Sequence, residues 1–413
     1  MKLFLFFVIF FTLSALLGTY ISLRLFAKTP LSRIWRIAIT LGVVLILFVP
    51  VLTIMLRRSG IDNKGIDLLV WSGYSSVGFL SFVFTFLVIR DFFWLSVEFM
   101  KNLKRLLSKK TEQKSGPSFL ENPSRRGFLI DSMNYGILFA ASVSTGYGIA
   151  VAKQIPEVKE IKIRIMDLPE DLDGFRIVQI TDLHVSPTFR RPYVEKIVEV
   201  VNALDADIAA LTGDLADGSV SQLSHDVAPL ENIKSAKGNF FVTGNHEYYS
   251  GVIDWVEEVR RLGFSVLLNE HHIIKCGKGK MLLAGVTDYR GGNFLPNHRS
   301  DPLKAMAASP PADVKILLAH QPKSIFEAAR AGYNLQISGH THGGQFFPWN
   351  FLVALNQPFV SGLHKYGNTY IYVSRGTGYW GPPLRVCSPS EITLIELTSP
   401  LKRSRRMDES TTG

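Results

Sequence analysis

The chain has 413 residues, which is enough for one large domain and further segments. Hydrophobic residues make up 47% of it, and its formal net charge is +10. A charge of this size can indicate nucleic-acid binding. However, no stretch interleaves aromatic and basic residues as a nucleic-acid groove does, so we expect no nucleic-acid partner.

The N-terminal part is strongly apolar. Residues 3–23, 37–56, 68–89 and 128–152 each approach the length of about 20 residues that a helix needs to cross a bilayer. The fourth segment is weaker because Asp131 and Asn134 interrupt it. One such segment would also fit a buried core helix, but three in succession with basic flanks predict a transmembrane region over residues 1–152.

The loops between these segments differ in charge. Basic residues are concentrated in the first loop and, above all, in the third, whereas acidic residues offset those in the second. Basic loops stay in the cytoplasm and are attracted to anionic lipid headgroups. The pattern therefore predicts a multi-pass protein of the cytoplasmic (inner) membrane with the chain after the fourth segment on the extracytoplasmic side.

Two stretches of this region have alternative interpretations. Residues 124–129 (SRRGFL) resemble a twin-arginine export signal, and 150–152 (AVA) resemble a cleavage site. Because three apolar segments precede it, we favour a retained anchor over a cleaved signal. Residues 97–122 are rich in lysine; their first part has helical apolar spacing and fits either a helix on the membrane surface or a solvated linker.

From residue 153 onward, strand and helix patterns alternate. Strands are predicted at 175–181, 208–212, 240–243, 264–268, 281–286, 316–319, 335–338, 369–374 and 391–397, and helices at 194–203 and 253–262. The number of strands predicts an α/β domain over 153–400, with two packed mixed β-sheets flanked by helices. The polar tail at 401–413 is predicted to be disordered.

Potential metal ligands follow the ends of five predicted strands. Asp182, Asp214, Asn245, His320 and His340 each lie within two residues after an apolar strand. Because α/β folds gather ligands at the carboxyl ends of their strands, we expect these side chains to converge. Carboxylates, imidazoles and one amide in this number can hold two metal ions, which is a site for the hydrolysis of phosphate esters.

Each motif by itself is a weak signal, since a lone GNHE can be a helix cap and a buried histidine is usually a core residue. The joint occurrence of all the motifs in one order is a strong signal. The order along the chain is Asp182-x-His184, Gly213-Asp214-x-x-Asp217, Gly244-Asn245-His246-Glu247, His320 and Gly339-His340-x-His342. This order resembles the calcineurin-like metallophosphoesterase family over about residues 175–397. Within that family the chain is most similar to membrane-anchored bacterial phosphodiesterases, also in residues 374–385.

The resemblance implies a role for each matching residue. It assigns Asp182, His184, Asp214 and His342 to a first metal, Asp214, Asn245, His320 and His340 to a second, and His246 to catalysis near the leaving group. Oxygen and imidazole ligands without cysteine suit manganese best, with iron or zinc as alternatives. We therefore expect two divalent metal ions as cofactors, bridged by Asp214.

The sequence also suggests roles for other residues near these motifs. His246 would stabilise developing charge or protonate the leaving oxygen, or else orient a ligand or a water. Asp217 and Glu247 are expected to be structural. Asp288 is a candidate for the edge of the substrate site, and Arg385 could bind a phosphate bidentately or form a surface ion pair.

These observations predict a membrane-anchored phosphoesterase that hydrolyses a phosphodiester or pyrophosphate bond by metal-activated hydroxide. A lipid-linked or envelope-derived substrate is favoured by the anchor. One alternative substrate is the UDP-2,3-diacylglucosamine type of lipid A synthesis, although that chemistry is cytoplasmic. A non-catalytic sensor or scaffold is disfavoured because no ligand position is missing, and the low charge of the apolar segments favours an anchor over a transporter. Cys276 and Cys387 could pair or remain free thiols.

Overall fold

The structure is a computed structural model that describes residues 2–26, 29, 31–61, 63–107 and 123–400. The predicted tail at 401–413 and the linker beyond residue 107 lie outside the described residues. Two compact units are present: the N-terminal helices together with Gly381–Leu384, and a larger unit that begins at Val151.

The first unit consists of long helices. They are α1 (Lys2–Phe26), α2 (Arg33–Arg58), α3 (Lys64–Leu107) and α4 (Pro123–Ala152). Each contains a stretch that is long and apolar enough to cross a membrane. The third is much longer than the predicted 68–89, because no proline or glycine interrupts the chain between Arg90 and Leu107. Residues 97–107, which the sequence fitted either to a surface helix or to a solvated linker, therefore continue α3 without a break.

A polar cluster connects α1, α3 and α4. Arg90, which is buried, donates to Asn134 of α4 and, at 2.9 Å, to the neighbouring Asp91. The other carboxylate oxygen of Asp91 accepts from Tyr20 at 2.8 Å and pairs with Arg24 at 2.7 Å. Buried charged groups are costly unless they are paired, so this cluster fixes the three helices relative to one another.

Within the described residues, the larger unit has twelve strands. They are β1 (Glu157–Arg164), β2 (Arg176–Ile180), β3 (Ile208–Leu211), β4 (Asn239–Phe241), β5 (Ser265–Val266), β6 (Glu270–Cys276), β7 (Gly279–Gly285), β8 (Val314–Leu318), β9 (Leu335–Ser338), β10 (Gly362–Tyr366), β11 (Thr369–Val373) and β12 (Glu391–Thr398). One six-stranded sheet has the order β1-β12-β2-β3-β4-β5 and the other β10-β11-β9-β8-β7-β6. Both sheets are mixed: β12 runs antiparallel to β2, and β6 to β7, whereas β2, β3 and β4 are parallel.

The larger unit also has seven α-helices among the described residues. They are α5 (Arg191–Asn202), α6 (Val220–Val227), α7 (Asn245–Ser250), α8 (Val252–Arg261), α9 (Pro302–Ala305), α10 (Ile325–Ala331) and α11 (Trp349–Asn356). Alternate residues of each central strand face opposite layers, since side chains alternate along a strand. Ile177 of β2 packs between the sheets with Ile316 of β8, whereas Val178 packs against Ile197 of α5. The predicted α/β fold of two packed mixed sheets flanked by helices is confirmed.

Three of the four edge strands were not predicted from the sequence. These are β1, β6 and β10, which lie at the ends of the two sheet orders. Edge strands carry polar side chains on exposed positions, as in the sequence EVKEIKIR of β1, so they lack the apolar run that identified the central strands.

Candidate metal centre

The predicted ligands lie at one edge of the two packed sheets. Asp182, Asp214 and Asn245 follow β2, β3 and β4 of the first sheet, and His320 and His340 follow β8 and β9 of the second. These strands are parallel within each sheet, so their carboxyl ends come together. The structure therefore brings together residues that are far apart along the chain.

One group of potential ligands is formed by Asp182, His184 and His342. Their nearest donor atoms all lie within 4.8 Å of one another, and all three residues are buried. His342 Nε2 is 3.3 Å from Asp182 Oδ1 and 3.0 Å from His184 Nε2. Two imidazole nitrogens facing each other beside a carboxylate form a pocket that a cation can occupy.

A second group is formed by Asp214, His320 and His340. His320 Nε2 lies 3.1 Å from Asp214 Oδ2 and 3.2 Å from His340 Nδ1. His320 Nδ1 donates to the carbonyl oxygen of Thr212 at 2.8 Å. This hydrogen bond orients the ring and leaves the lone pair of Nε2 directed at the group.

Asp214 lies between the two groups. Its Oδ2 is 3.1 Å from His320 Nε2 in the second group and 3.7 Å from His184 Nε2 in the first. Asn245 lies beside it, and the Asn245 Oδ1 atom is buried without a hydrogen-bond partner among the described residues. A buried oxygen without a donor is costly, and a cation would satisfy it. The donor set therefore fits a pair of divalent metal ions.

The backbone at these positions is strained. Asp182, His184, Asp214, His340 and His342 have φ angles of 55°, 48°, 53°, 71° and 50°, in the left-handed region that favours glycine. Each such residue costs about 1–3 kcal/mol, which the surrounding structure must offset. This strain turns the side chains inward at the strand ends.

Two glycines make the close approach of the loops possible. A Cβ atom at Gly339 would overlap Asp182 Oδ2 and the side chain of Thr181, and one at Gly244 would overlap Asp214 Oδ1. A side chain at either position would therefore push the loops apart.

Glu247 holds the loop after β3 to the loop after β4. Its buried carboxylate accepts hydrogen bonds from the backbone N–H groups of Asp214 at 3.1 Å, Leu215 at 2.7 Å and Gly244 at 2.6 Å. Burial and the charge of Asp214 raise the pKa of Glu247 to about 7, although the backbone donors oppose this. Glu247 thus positions Asp214 through the Asp214 backbone, which agrees with the structural role expected for Glu247.

Asp217 orients two histidines at once. One of its oxygens accepts from Nδ1 of His184 at 2.9 Å and from Nδ1 of His246 at 2.6 Å. Burial would raise the pKa of Asp217, but the two imidazoles lower it below its usual value. Because Nδ1 of each ring is engaged, the Nε2 atoms point towards the site.

His246 lies at the mouth of the site. Its Nε2 is 3.9 Å from Asp214 Oδ2, and its ring contacts the rings of Tyr249 and Trp380. Burial opposes protonation, but the charges of Asp214 and Asp217 raise the pKa of His246 to about 9. In the absence of metal, His246 therefore carries a proton at neutral pH.

His340 and His342 have the opposite electrostatics. Burial and the neighbouring His320 lower the pKa of His340 to about 3, and burial and the Arg385 guanidinium lower the pKa of His342 well below its usual value. Both rings are neutral at physiological pH, which is the state that binds metal.

Arg385 and Asp288 are both buried. Arg385 has no exposed surface, and its guanidinium donates to backbone carbonyl oxygens that include those of His342 at 2.9 Å and Arg375 at 2.8 Å. Its donors stabilise the loop around His342, so the expectation that it binds a phosphate, or forms a surface ion pair, does not match the structure. Asp288 is also buried and accepts from Gln321 at 2.9 Å, and burial raises its pKa.

Sequence reasoning missed Thr181. Its hydroxyl donates to Asp182 Oδ2 at 2.7 Å and fixes that carboxylate. The sequence did contain a signal for this role: a hydroxyl residue ends the apolar strand directly before a candidate ligand.

The two cysteines are free: Cys276 is partly buried and Cys387 is exposed.

Comparison with known proteins identifies the family. The sequence profile of the calcineurin-like phosphoesterase family matches residues 175–344. An uncharacterized metallophosphoesterase of Helicobacter pylori is 38% identical over 281 residues, which cover 67% of this chain and 73% of that protein. The chain belongs to the calcineurin-like metallophosphoesterases and is a metal-dependent phosphoesterase.

Two further relatives are informative about architecture. A transmembrane protein with metallophosphoesterase domain of Danio rerio is 38% identical over 268 residues, 63% of this chain but only 61% of that protein. The uncharacterized metallophosphoesterase YkuE of Bacillus subtilis is 29% identical over 292 residues, 68% of this chain and 99% of that protein. The family uses divalent metals, and the apolar helices associate this chain with a membrane.

Proposed function

We propose that this protein is a membrane-anchored phosphoesterase with two divalent metal ions that hydrolyses a phosphodiester or pyrophosphate bond. The observation that supports this most strongly is the position of Asp214 between two groups of potential ligands, 3.1 Å from His320 and 3.7 Å from His184. Asp182, His184, Asp214 and His342 would hold the first ion. Asp214, Asn245, His320 and His340 would hold the second.

Two divalent ions, when bound by these residues, would polarise the phosphoryl group of the substrate and lower the pKa of a water. Because the ligands are carboxylate, amide and imidazole, manganese is the proposed metal, with iron or zinc as alternatives. His246, which carries a proton at the mouth of the site, donates it to the leaving oxygen. Asp217 holds the His246 ring in place for this transfer.

We propose a lipid-linked or envelope-derived substrate, since four helices of membrane-spanning length belong to the same chain. The domain at 153–400 lies on the extracytoplasmic side of the inner membrane in this proposal, and α4 is a retained anchor. The basic loops support this orientation. A reporter fused after Gly413 that is active only in the cytoplasm would contradict it.

The activity is tested with the full chain in detergent, stripped of metal and reloaded with manganese, iron or zinc. Substrates are a synthetic phosphodiester, a phosphomonoester and a lipid-linked pyrophosphate. We expect metal-dependent turnover that is lost in Asn245→Ala on every substrate and in His246→Ala on substrates whose leaving group needs a proton. It should be retained in His225→Ala, which changes an exposed histidine of α6. Two bound ions without turnover of any substrate would argue for a sensor or scaffold instead.

A further inference from the structure

Helix α11 exposes an apolar surface beside the metal centre. None of its residues is buried, and Phe351, Leu352 and Leu355 are 62%, 51% and 85% exposed. Trp349 and the preceding Phe347 extend the patch, and the ring of Phe347 contacts that of Phe351. We call these five residues the α11 surface. Helices of soluble domains normally bury one apolar face, so an exposed one indicates an interaction site.

The stretch of chain that contains the α11 surface has no acidic residues. The sequence has no aspartate or glutamate between Glu327 and Glu391. In contrast, Lys323 donates to the Asn356 side chain at the C-terminal end of α11, at 2.7 Å, and Lys365 is exposed on β10. An exposed apolar helix with a lysine at its end, in a stretch without acidic residues, complements an anionic lipid surface.

The α11 surface is tied to the mouth of the metal centre. The chain runs from His342 into α11 through a turn in which Gln345 Nε2 donates to the carbonyl oxygen of Trp380 at 2.9 Å. The backbone N–H of Trp380 donates back to Gln345 Oε1, also at 2.9 Å. The ring of Trp380, 54% exposed, lies 5.8 Å from that of His246. Whatever binds the α11 surface therefore lies next to the opening of the site.

We propose that the α11 surface inserts into the headgroup region of an anionic phospholipid bilayer and thereby holds the mouth of the metal centre against the membrane. The helices of membrane-spanning length in the same chain keep a bilayer at high effective concentration. Eight residues extend only about 12 Å as a helix, so α11 lies in the interface and does not span it. This docking does not depend on the reaction that the site performs, and it is measured without turnover.

The test uses the full chain in lipid nanodiscs. Cys276 and Cys387 are replaced by serine, and a nitroxide label is placed at Leu355→Cys or at the control site Leu303→Cys on α9, which is 62% exposed. Collisions of each label with oxygen and with a water-soluble nickel chelate are measured by electron paramagnetic resonance. Nanodiscs of phosphatidylcholine alone are compared with nanodiscs that also contain phosphatidylglycerol.

We expect phosphatidylglycerol to shield the Leu355 label from nickel and to increase its contact with oxygen, while the Leu303 label stays accessible to nickel. Equal nickel access at the two sites overturns the proposal. Shielding that is independent of lipid composition and accompanied by dipolar broadening between labels also overturns it, because a second copy of the chain would then cover α11.

A second measurement separates docking from a structural role. In the double variant Phe351→Ser with Leu355→Ser, we expect the apparent KM for a diacylglycerol-linked nitrophenyl phosphodiester in nanodiscs to rise about tenfold, through loss of inserted apolar area. Turnover of soluble bis(nitrophenyl) phosphate should remain unchanged, as it should in the control Leu303→Ser. An equal loss on both substrates contradicts membrane docking.

Discussion

The helical unit and the α/β unit place the same kinds of residue in opposite positions. In α2, Ile34 and Leu45 are 79% and 66% exposed, whereas every residue of β3 is buried. A helix that faces lipid exposes its apolar side chains and pairs its charges inside, as around Asp91. A water-soluble domain buries its apolar side chains and brings charged ones into a solvent-reachable site. The comparison separates buried polar groups that serve structure from those that serve chemistry.

The polar cluster around Asp91 and the candidate metal centre differ most clearly in whether their potential ligand atoms have protein partners. The carboxylate of Asp91 has protein partners on both oxygens. Asn245 Oδ1 has none among the described residues, and His184 and His342 direct ring nitrogens at each other. The first arrangement is complete without a ligand, and the second is not. Variants in the two clusters should therefore differ in what they change.

Asp214→Ala should have the largest effect. It removes the carboxylate between the two groups of ligands, so we expect kcat/KM to fall at least about 10³-fold, because the site loses its stabilisation of phosphoryl charge. Metal content measured by mass spectrometry should fall from two ions per chain. Retention of both ions and of activity would show that Asp214 does not bridge them.

His246→Gln should have the next largest effect on activity. We expect a loss of about 10²–10⁴-fold on substrates with alkoxide leaving groups, and little loss on nitrophenyl esters, which need no proton. Without metal the pKa of His246 is raised to about 9, and bound divalent cations would lower it, so in the active enzyme the proton is lost as the pH rises through a value below 9. The wild-type pH–rate profile should fall on the alkaline side, and this fall should be absent from the variant.

Glu247→Gln should destabilise the α/β unit without removing a proposed ligand. The amide group cannot accept from all three backbone donors, so we expect a loss of about 2–4 kcal/mol in the free energy of unfolding. Urea denaturation measures this loss, and Glu257→Gln, at an exposed position of α8, is the matched control. Equal stability of the two variants would contradict the role of Glu247 as the link between the loops.

Asn134→Leu should have the smallest effect. It removes the partner of Arg90 in the helical unit, and polar contacts between membrane helices contribute about 0.6–1.7 kcal/mol. We expect a slightly lower Tm in detergent and unchanged kcat on a soluble phosphodiester. The control is Ser142→Ala on the exposed side of α4. A large loss of kcat would mean that the cluster around Asp91 takes part in activity.

The sequence alone determined the family, the apolar segments and the central strands. It could do so because lipid-facing helices and buried parallel strands both require long apolar runs, and because ligands such as Asp182 and His320 follow those runs directly. The motifs also contain Gly244 and Gly339, and the structure shows that their turns leave no room for a side chain.

Only the tertiary structure decided what depends on distant contacts. The edge strands β1, β6 and β10 form because neighbouring strands offer them hydrogen bonds, and no local apolar run marks them. The role of Arg385 could not be predicted either, since its partners are backbone carbonyl groups of loops that meet it only after folding. The same holds for the exposure of α11: its sequence has the composition of a core helix, and only the fold leaves it uncovered.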